Sequence, residues 1–291
     1  MDAATEKAAT LIEALNYIKQ FRDKAVVVKV GGSFLEDSDA RRSVLTDIVF
    51  MRTVGIRPVV VHGGGPAISR AMKQANIQPK WVKGLRYTDA ETLSIVQDVM
   101  INVINKGLVD EFRLLGAAAE PIHVRNRPVL KAARHWEKDE HGRPVDLGFV
   151  GDVTEVDTWV LSHLAHEQAI PVIAPLGIGA DGQVYNVNAD TAAARVAIAL
   201  KAEKLVNMSD THGIRTDPDD ASSLASSLNR QQIEALIAAG KITAGMIPKV
   251  ACCLEAVKGG VKKCHIIDGR IKHSLLLEIY TDKGIGTEVV P

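Results

Sequence analysis

Two short runs of β-branched residues, each ending in glycines, constrain the fold of this chain more than any other feature. The first reads VVVKVGGSFL over residues 26–35, and the second reads PVVVHGGGPA over residues 58–67. Near-continuous valine runs are typical of strands buried on both faces, as in parallel sheets. Glycines directly after such a strand favour a tight passage into the next helix. The pattern therefore indicates strand-to-helix units.

Strand-like and helix-like patterns alternate through the rest of the chain. We predict strands at 25–30, 58–62, 170–174, 204–208 and 263–267, helices at 38–54, 66–76, 89–115, 158–167, 190–200, 231–239 and 249–258, and a hairpin-like segment at 121–156. Regular alternation argues for an α/β protein with a mostly parallel sheet covered on both faces. The expected architecture is a three-layer αβα sandwich.

An amphipathic helix precedes the first strand. Residues 6–21 place five apolar side chains on one helical face: Ala8, Leu11, Ile12, Leu15 and Ile18. Such a helix can pack on its own domain or on another subunit, and periodicity does not decide between them. A glycine-rich turn, GIGADGQ, suggests a soft boundary near residue 184. We therefore divide the chain into 1–23, 24–184 and 185–291, the last two forming one continuous domain.

Composition excludes several classes of partner. The 291 residues contain 35 Lys plus Arg and 35 Asp plus Glu, which removes any global electrostatic case for nucleic acid or an anionic membrane. The opening residues lack the basic and apolar regions of a secretory signal, and no apolar run approaches the roughly 18 residues of a membrane span. Three cysteines without metal-ligand spacing favour reduced thiols. We expect a cytoplasmic protein without nucleic-acid or membrane partners.

Both glycine clusters fall where a parallel sheet collects its ligands, at the carboxyl ends of strands. Gly31-Gly32 and Gly63-Gly64-Gly65 would let backbone amides approach an anion, and the following helix N-terminus adds partial positive charge. Neither cluster has the Walker A or G-x-G-x-x-G spacing. A phosphate or carboxylate cradle and a plain tight turn both remain open for each cluster taken alone.

Lys29 is the most informative single residue, because an ammonium in an apolar buried strand is costly unless it meets an anion. At the sheet mouth it would neutralise a transferring phosphoryl group as a point charge. The alternative is a lysine that snorkels to solvent from an edge strand.

Three further clusters carry candidate functional residues. Arg86 lies in KGLRYTD, before a predicted helix, and suits a carboxylate. YNVNADTAA alternates Asn186, Asn188 and Asp190, and Asp190 either caps a helix or orients a lysine. GKITAGMIPKV ends in Lys249 at a loop-to-helix junction. Two lysines and glycine-lined helix termini, without a strong nucleophile, point to phosphoryl transfer by positioning and electrostatics.

Other chemistries fit less well. The motifs H-E-x-x-H and G-x-S-x-G are absent, and the nine histidines have no paired ligand spacing, so we predict no protein-held metal. His62, directly before the triple glycine, is either a ligand or base, or a structural residue that fixes the loop.

The ordered motifs KVGGS, VVVHGGGPAIS, KGLRYTD, GFVGDV, YNVNADTAA, SDTHGI and GKITAGMIPKV resemble those of the amino-acid kinase family, over residues from about 25 to the end. Among its branches, the chain most resembles the enzymes that act on N-acetyl-L-glutamate. The resemblance implies the amino-acid kinase fold and transfer of the ATP γ-phosphoryl group, with Mg²⁺, to the γ-carboxylate of N-acetyl-L-glutamate in arginine biosynthesis. Residues 24–184 would then bind the acyl substrate and 185–291 the nucleotide.

The resemblance also implies residue roles. Lys29 and Lys249 would flank the transferring group, and Asp190 would organise them. The acyl substrate would meet Gly64, Gly65, Arg86, Asn186 and Asn188. The nucleotide would be lined by Gly31, Gly32, Asp210, Thr211, His212, Gly213, Ile214, Arg215, Lys241, Ile242 and Thr243.

The extra N-terminal helix resembles that of family members that interlace it between dimers, form hexameric rings and are inhibited by arginine. On that basis the chain would be a homo-oligomer, at least a dimer and expected to be a hexamer. Arginine contacts would come from Tyr17, Lys204, His265, Glu278 and Gly284.

Some residues depart from the family pattern. Asn207 makes its strand more polar than the usual version, Tyr87 replaces a small aliphatic residue, and residues 117–136 lack the usual Ser-Gly-x-Asp-Gly turn. Two alternatives therefore stay open: a kinase of a related acceptor, such as an aminoadipate, glutamate, aspartate or UMP kinase, or a catalytically silent binding protein of the same fold.

Overall fold

A computed structural model describes residues 2–242, 245–281 and 284–291 of the chain. Within these residues, helices are numbered in chain order as α1 Asp2–Phe21, α2 Ser38–Thr53, α3 Gly65–Gln74, α4 Ala90–Asp98, α5 Lys106–Leu114, α6 Thr158–His166, α7 Ala189–Ala199, α8 Arg230–Ala238, α9 Ile247–Lys258 and α10 Ser274–Ile279. A π-helix, Val99–Asn105, joins α4 to α5, and short 3₁₀ turns occupy Ser33–Glu36 and Ala221–Ser223.

The strands are β1 Ala25–Val30, β2 Arg57–His62, β3 Trp81–Val82, β4 Leu85–Arg86, β5 Ala119–Ile122, β6 Leu130–Lys138, β7 Pro144–Val156, β8 Ile170–Ile173, β9 Leu176–Ile178, β10 Val184–Val187, β11 Lys204–Ser209, β12 Ser227–Asn229, β13 Lys263–Asp268 and β14 Thr287–Val290. In the described residues, eight of them form one sheet in the order β12-β14-β13-β11-β1-β2-β8-β5. Its pairings are parallel except between β13 and β14.

Helices cover both faces of this sheet because its central strands are apolar on both sides. In β1, Val26, Val28 and Val30 pack with buried side chains of α2, α5 and α10. Val27 faces the opposite core, which contains side chains of α6, α7, α8 and α9. Each fully buried valine contributes on the order of 1.5–3 kcal/mol relative to an exposed one. The predicted three-layer sandwich is confirmed.

The strand alternation also determines where Lys29 lies. It shares the face of Val27, so its side chain points toward α7 and α9. Strand β1 lies in the middle of the sheet, between β11 and β2, so the alternative of a solvent-seeking lysine on an edge strand is wrong.

Several features differ from the sequence-based expectations. The predicted helix at 89–115 is interrupted by the π-helix. Of the hairpin predicted at 121–156, the part over 130–156 is present as β6 and β7, with irregular register after Lys131 and Arg134, whereas residues 121–122 end β5 of the large sheet. The hairpin forms a small closed sheet with β9 and β10 that was not foreseen. Strand β14 and helix α10 at the C-terminal end were also not foreseen.

Helix α1 is present as predicted but begins at Asp2 rather than at residue 6, and its last turn packs on the domain through Phe21, which is 4% exposed. The ring of Tyr17 meets that of Tyr280 edge-on, with centroids 6.4 Å apart. Ile12 and Leu15 are instead 67% and 39% exposed.

No helix in the described part of the chain is long and apolar enough to cross a bilayer. The proposed division at residue 184 stays a prediction, and β10 pairs there with β7 and β9.

Candidate active site

A buried ion pair lies at the carboxyl end of β1. The Lys29 Nζ is 2.8 Å from Asp190 Oδ1, and both side chains are less than a tenth exposed. Asp190 is the second residue of α7, whose N-cap is Asn188: the Asn188 Oδ1 accepts from the amides of Asp190 and Thr191. Asn188 therefore caps the helix, which leaves the Asp190 side chain available to the lysine.

Lys249, on α9, approaches the other oxygen of the same carboxylate, with 3.7 Å between its Nζ and Asp190 Oδ2. Burial alone would raise the pKa of Asp190, but the charges of Lys29 and Lys249 and the hydrogen bonds from Lys29 and Asn207 outweigh it, so this pKa is lowered. One carboxylate thus holds two ammonium groups side by side, in the arrangement predicted for Lys29, Asp190 and Lys249.

The glycine turns leave room for this cluster. A β-carbon on Gly31 would lie 2.6 Å from Lys29 Nζ, and Gly32 has a φ of +106°, which favours glycine. A β-carbon on Gly64 would lie 2.7 Å from Met100 Sδ and 2.8 Å from Ile104 Cδ1, both on the π-helix. Side chains at Gly31 and Gly64 would therefore displace the lysine or the helix.

Arg86 is a buried cation whose contacts are neutral. It is 6% exposed, and burial lowers its pKa. Among the described residues, its guanidinium donates to the Gly65 carbonyl at 3.3 Å, the Ser69 hydroxyl at 2.8 Å and Met72 Sδ at 3.1 Å, and it lies 4.5 Å from the centroid of the Trp81 ring. No carboxylate of the described residues forms an ion pair with it.

A cavity of about 250 Å³ brings these groups together. Of the predicted catalytic and acceptor-binding residues, it is lined by Lys29, Gly64, Gly65, Arg86, Asn186, Asn188 and Asp190, and also by Gly31 and Gly32 from the predicted nucleotide set. Lys249 is not part of the cavity lining, but it contacts Asp190, which is. The Asn186 amide donates to the Thr88 hydroxyl at 3.2 Å, and that hydroxyl donates to the Arg86 carbonyl.

His62 fixes the loop that carries the triple glycine. Its Nδ1 lies 2.9 Å from the Gly63 carbonyl, which requires a proton on Nδ1, and its Nε2 then accepts from Asn105 Nδ2 at 3.1 Å. Asn105, the last residue of the π-helix, also donates to the Val172 carbonyl at 2.8 Å. Of the two interpretations of His62, the geometry favours the structural one.

Burial lowers the pKa of His62 to about 4. Between the unfolded value of 6.5 and about 4, the unfolded chain binds a proton here that the folded chain does not, so stability falls as pH falls, by about 1.4 kcal/mol per unit. We expect His62→Gln to remove this dependence. Between pH 7 and pH 5, the free energy of unfolding measured with urea should fall by about 2 kcal/mol more for the wild type than for the variant. An equal fall in unfolding free energy for wild type and variant would contradict the assignment of this pH dependence to His62. The matched control is His141→Gln, at an exposed histidine.

A second cavity of about 400 Å³ lies beside the first. It is lined by eight of the predicted nucleotide residues: Asp210, Thr211, His212, Gly213, Ile214, Arg215, Lys241 and Ile242. Thr243 lies outside the described residues. The Ser33 hydroxyl donates to Asp210 Oδ2 at 3.3 Å, and an added β-carbon on Gly32 would contact Asp210, so the walls of the two cavities touch here.

A third cavity, of about 560 Å³, contains the five predicted effector residues Tyr17, Lys204, His265, Glu278 and Gly284. The Glu278 Oε1 lies 2.6 Å from His265 Nδ1, and its Oε2 accepts from the amides of Ile285 and Gly286. Burial would raise the pKa of Glu278, but the hydrogen bond and charge of His265 lower it overall. Lys204 lies 3.2 Å from His265 Nε2, so the cavity wall is one connected polar network.

Sequence reasoning missed several residues of these cavities. Ser69 and Thr88 support Arg86 and Asn186, and although both lie within the quoted motifs, neither was singled out as a site residue. Arg270 lines the second cavity, where it makes a two-pronged ion pair with Asp268. Asn207 contacts Asp190, and its unusual polarity in a strand was the one available signal.

Comparisons with known proteins identify the relatives of this chain. The chain matches the amino acid kinase family over residues 24–268. The acetylglutamate kinase of Symbiobacterium thermophilum is 49% identical over 288 residues, which cover 99% of this chain and 98% of that protein. Two solved structures of N-acetylglutamate synthase from Neisseria gonorrhoeae also match, one complexed with coenzyme A and N-acetyl-glutamate and the other with coenzyme A and L-arginine.

The synthase structures superpose with TM-scores of 0.86 and 0.82, at 26% and 28% identity. They cover 98% and 97% of this chain, which spans 63% and 65% of the synthase chains. Because the family match covers most of the chain and a relative is nearly half identical from end to end, the chain belongs to the amino acid kinase family, in the branch formed by the acetylglutamate kinases.

Proposed function

We propose that this enzyme transfers the γ-phosphoryl group of ATP to the γ-carboxylate of N-acetyl-L-glutamate, in arginine biosynthesis. The observation that carries the proposal is the buried Arg86, whose described contacts are all neutral and which lines the same cavity as Lys29. A desolvated cation of this kind needs an anion, and a substrate carboxylate supplies one. The similarity to acetylglutamate kinases supports this choice of substrate.

In the proposed complex, Arg86 binds the acceptor's α-carboxylate and the Asn186 amide meets its acetamido group. The glycine turns at Gly64 and Gly65 offer backbone donors close to the γ-carboxylate. A γ-carboxylate oxygen attacks the γ-phosphorus, an O–P bond forms, the bond to the β-phosphate bridging oxygen breaks, and ADP leaves. The products are ADP and an acyl phosphate, with no covalent enzyme intermediate.

Charge stabilisation in this mechanism comes from Lys29 and Lys249. Their ammonium groups lie on either side of Asp190, and Lys29 and Asp190 both line the first cavity. Phosphoryl transfer needs positioning and neutralisation of the charge on the transferring group more than it needs a nucleophile from the protein. Asp190 keeps the two cations together although they repel each other.

The second cavity suits ATP. Ile242 and Met246 offer an apolar surface to the base, while Lys241, Arg215 and Arg270 offer positive charge. Mg²⁺ is usually bound through substrate phosphates and one or two carboxylates, and Asp210, beside Gly32, is a carboxylate in a suitable place. The metal would neutralise charge on the β- and γ-phosphates.

The test is to assay ATP turnover with N-acetylglutamate, glutamate and N-acetylaminoadipate, trapping acyl phosphate with hydroxylamine. Hydroxamate formed with N-acetylglutamate alone would support the proposal. Hydroxamate formed mainly with another acceptor would shift it to a related kinase. Product with none of them would favour a catalytically silent binding protein.

We further propose that the third cavity binds arginine as a feedback inhibitor. Its volume and the carboxylate of Glu278 suit a guanidinium, and one of the synthase structures above contains L-arginine. The exposed Ile12 and Leu15 of α1 make contact with another subunit reasonable, so the enzyme would be an oligomer, with a hexamer as the expected form. Light scattering of the full chain would give its mass.

Replacing Glu278 with Gln should raise the half-inhibitory arginine concentration at least tenfold. The amide can still accept from the Ile285 and Gly286 backbone, but it loses the charge that would pair with the guanidinium. Inhibition is measured relative to each protein's own uninhibited rate. The same change at Glu167, which is exposed, should leave inhibition as in the wild type. A wild-type response from Glu278→Gln would argue against this cavity as the arginine site.

A further inference from the structure

Asn207 is a buried amide in an otherwise apolar part of the sheet. It is 2% exposed and lies in β11, directly beside Lys29 of β1 in the parallel register. Its neighbours along the strand, Val206 and Met208, are fully buried. A polar side chain in such a place is costly unless it forms a specific hydrogen bond. The side-chain hydrogen bond of Asn207 is made to Asp190, in the cluster formed with Lys29 and Lys249.

The Asn207 Nδ2 donates to Asp190 Oδ1 at 3.2 Å, the same oxygen that Lys29 Nζ contacts at 2.8 Å. The opposite amide orientation would set two oxygens against each other, so the nitrogen must face the carboxylate. The Asn207 Oδ1 is buried and has no hydrogen-bond partner in the described structure. The protein therefore tolerates an unsatisfied acceptor in order to keep this donor on Asp190.

We propose that Asn207 is a positioning residue, which holds the Asp190 carboxylate in place when Lys29 turns from it toward the transferring phosphoryl group. The inference rests on the proposed phosphoryl transfer. In the free protein, Lys29 and Asn207 share one carboxylate oxygen. When the phosphoryl group attracts the ammonium, the neutral amide remains on that oxygen.

A neutral donor suits this task better than a charged one. It adds no charge, so the carboxylate can still attract both lysines, and its position is fixed by a rigid strand. An apolar side chain here would leave Asp190 free to follow Lys29 toward the nucleotide. The titratable groups around the Asp190 carboxylate that this amide contacts are Lys29 on β1 and Lys249 and Cys252 on α9. Burial raises the pKa of Cys252 to about 12, so that thiol stays neutral.

The test compares Asn207→Leu, which keeps the branched shape without the donor, with Asn207→Asp, which is isosteric but places an acceptor against Asp190. We expect the first to lower kcat about tenfold, with the KM values for ATP and N-acetylglutamate within twofold of wild type. We expect the second to lower kcat further, because two adjacent carboxylates repel each other and compete for Lys29. Met208→Leu, on the other face of the same strand, should behave as wild type.

A second measurement tests the hydrogen bond between Asn207 and Asp190 directly. Carboxyl ¹³C NMR titration should give a higher pKa for Asp190 in Asn207→Leu than in wild type, because one of the hydrogen bonds that lower it is gone. Wild-type kcat in either variant, or an unmoved Asp190 pKa, would overturn the inference. If Asn207→Leu does not fold, Asn207→Asp carries the kinetic test.

The two proposals fail separately. If the wild-type protein makes no acyl phosphate, the proposed function fails, and the Asp190 titration then tests only whether Asn207 holds that carboxylate. If the wild type is active and Asn207→Leu matches it, the function stands and the role of Asn207 is rejected.

Discussion

Replacing Lys29 with Met should lower kcat by about 10²- to 10³-fold, the usual cost of removing one group that stabilises developing charge. Met keeps much of the apolar stem, so the strand can still pack. The ammonium that lies 2.8 Å from Asp190 and lines the first cavity is lost. KM for ATP should change much less than kcat, because the second cavity does not include Lys29. Steady-state kinetics with hydroxylamine trapping measures both quantities.

The same variant should be less stable than wild type. Breaking a buried ion pair from one side costs about 3–5 kcal/mol, and here Lys249 and Asn207 remain to compensate part of it. Circular dichroism at the assay temperature must therefore confirm that the variant is folded. Lys73→Met, at an exposed lysine near the end of α3, is the control and should keep both activity and stability. A folded Lys29→Met with near-normal kcat would remove Lys29 from the mechanism.

Lys29 could be predicted from sequence because two simple rules apply to it at once. Strand alternation places position 29 on the face of Val27, and a charged residue in a valine strand demands an anion. The same reasoning fixed the central strands and the helices that cover them. It succeeded because those elements are long, strongly periodic and buried.

The π-helix could not be predicted, because seven residues are too few to distinguish its period from that of an α-helix. Yet this segment positions Met100 against Gly64 and Asn105 against His62. Strands β9 and β10, of three and four residues, are likewise too short to give an alternating pattern. Local pattern therefore identified the site's charged residues and the strand and helices that carry Lys29, Asp190 and Lys249, but not the short elements around them.

Asn207 illustrates a different limit. Its polarity was visible in the sequence, but its partner depends on the pairing of β11 with β1 and on the packing of α7 over that pair. Such a contact joins residues from three elements, and no single segment of sequence encodes it. Ser69 and Thr88, which support Arg86 and Asn186, were missed for the same reason.

Replacing Arg86 with Gln should lower kcat/KM for N-acetylglutamate by about 10²- to 10³-fold. The variant loses a charge-assisted, two-pronged contact, and hydrogen bonds to charged groups contribute about 1.5–3 kcal/mol each. KM for ATP should stay within twofold, because Arg86 lines the first cavity and not the second. Arg86→Lys should recover only part of the loss, since an ammonium keeps the charge but not the planar fork.

The thermal stability of Arg86→Gln should change in the opposite direction from that of Lys29→Met. In the free protein Lys29 is already neutralised by Asp190, whereas Arg86 is a desolvated cation with neutral neighbours. Removing Lys29 leaves the buried Asp190 carboxylate with fewer partners and destabilises the fold. Removing the charge of Arg86 instead eliminates a buried cation that has no anionic partner. Thermal unfolding of the free enzymes should therefore give a lowered Tm for Lys29→Met and an equal or raised Tm for Arg86→Gln. A large drop in Tm for Arg86→Gln would mean that Arg86 is a structural residue and that the acceptor's carboxylate binds elsewhere.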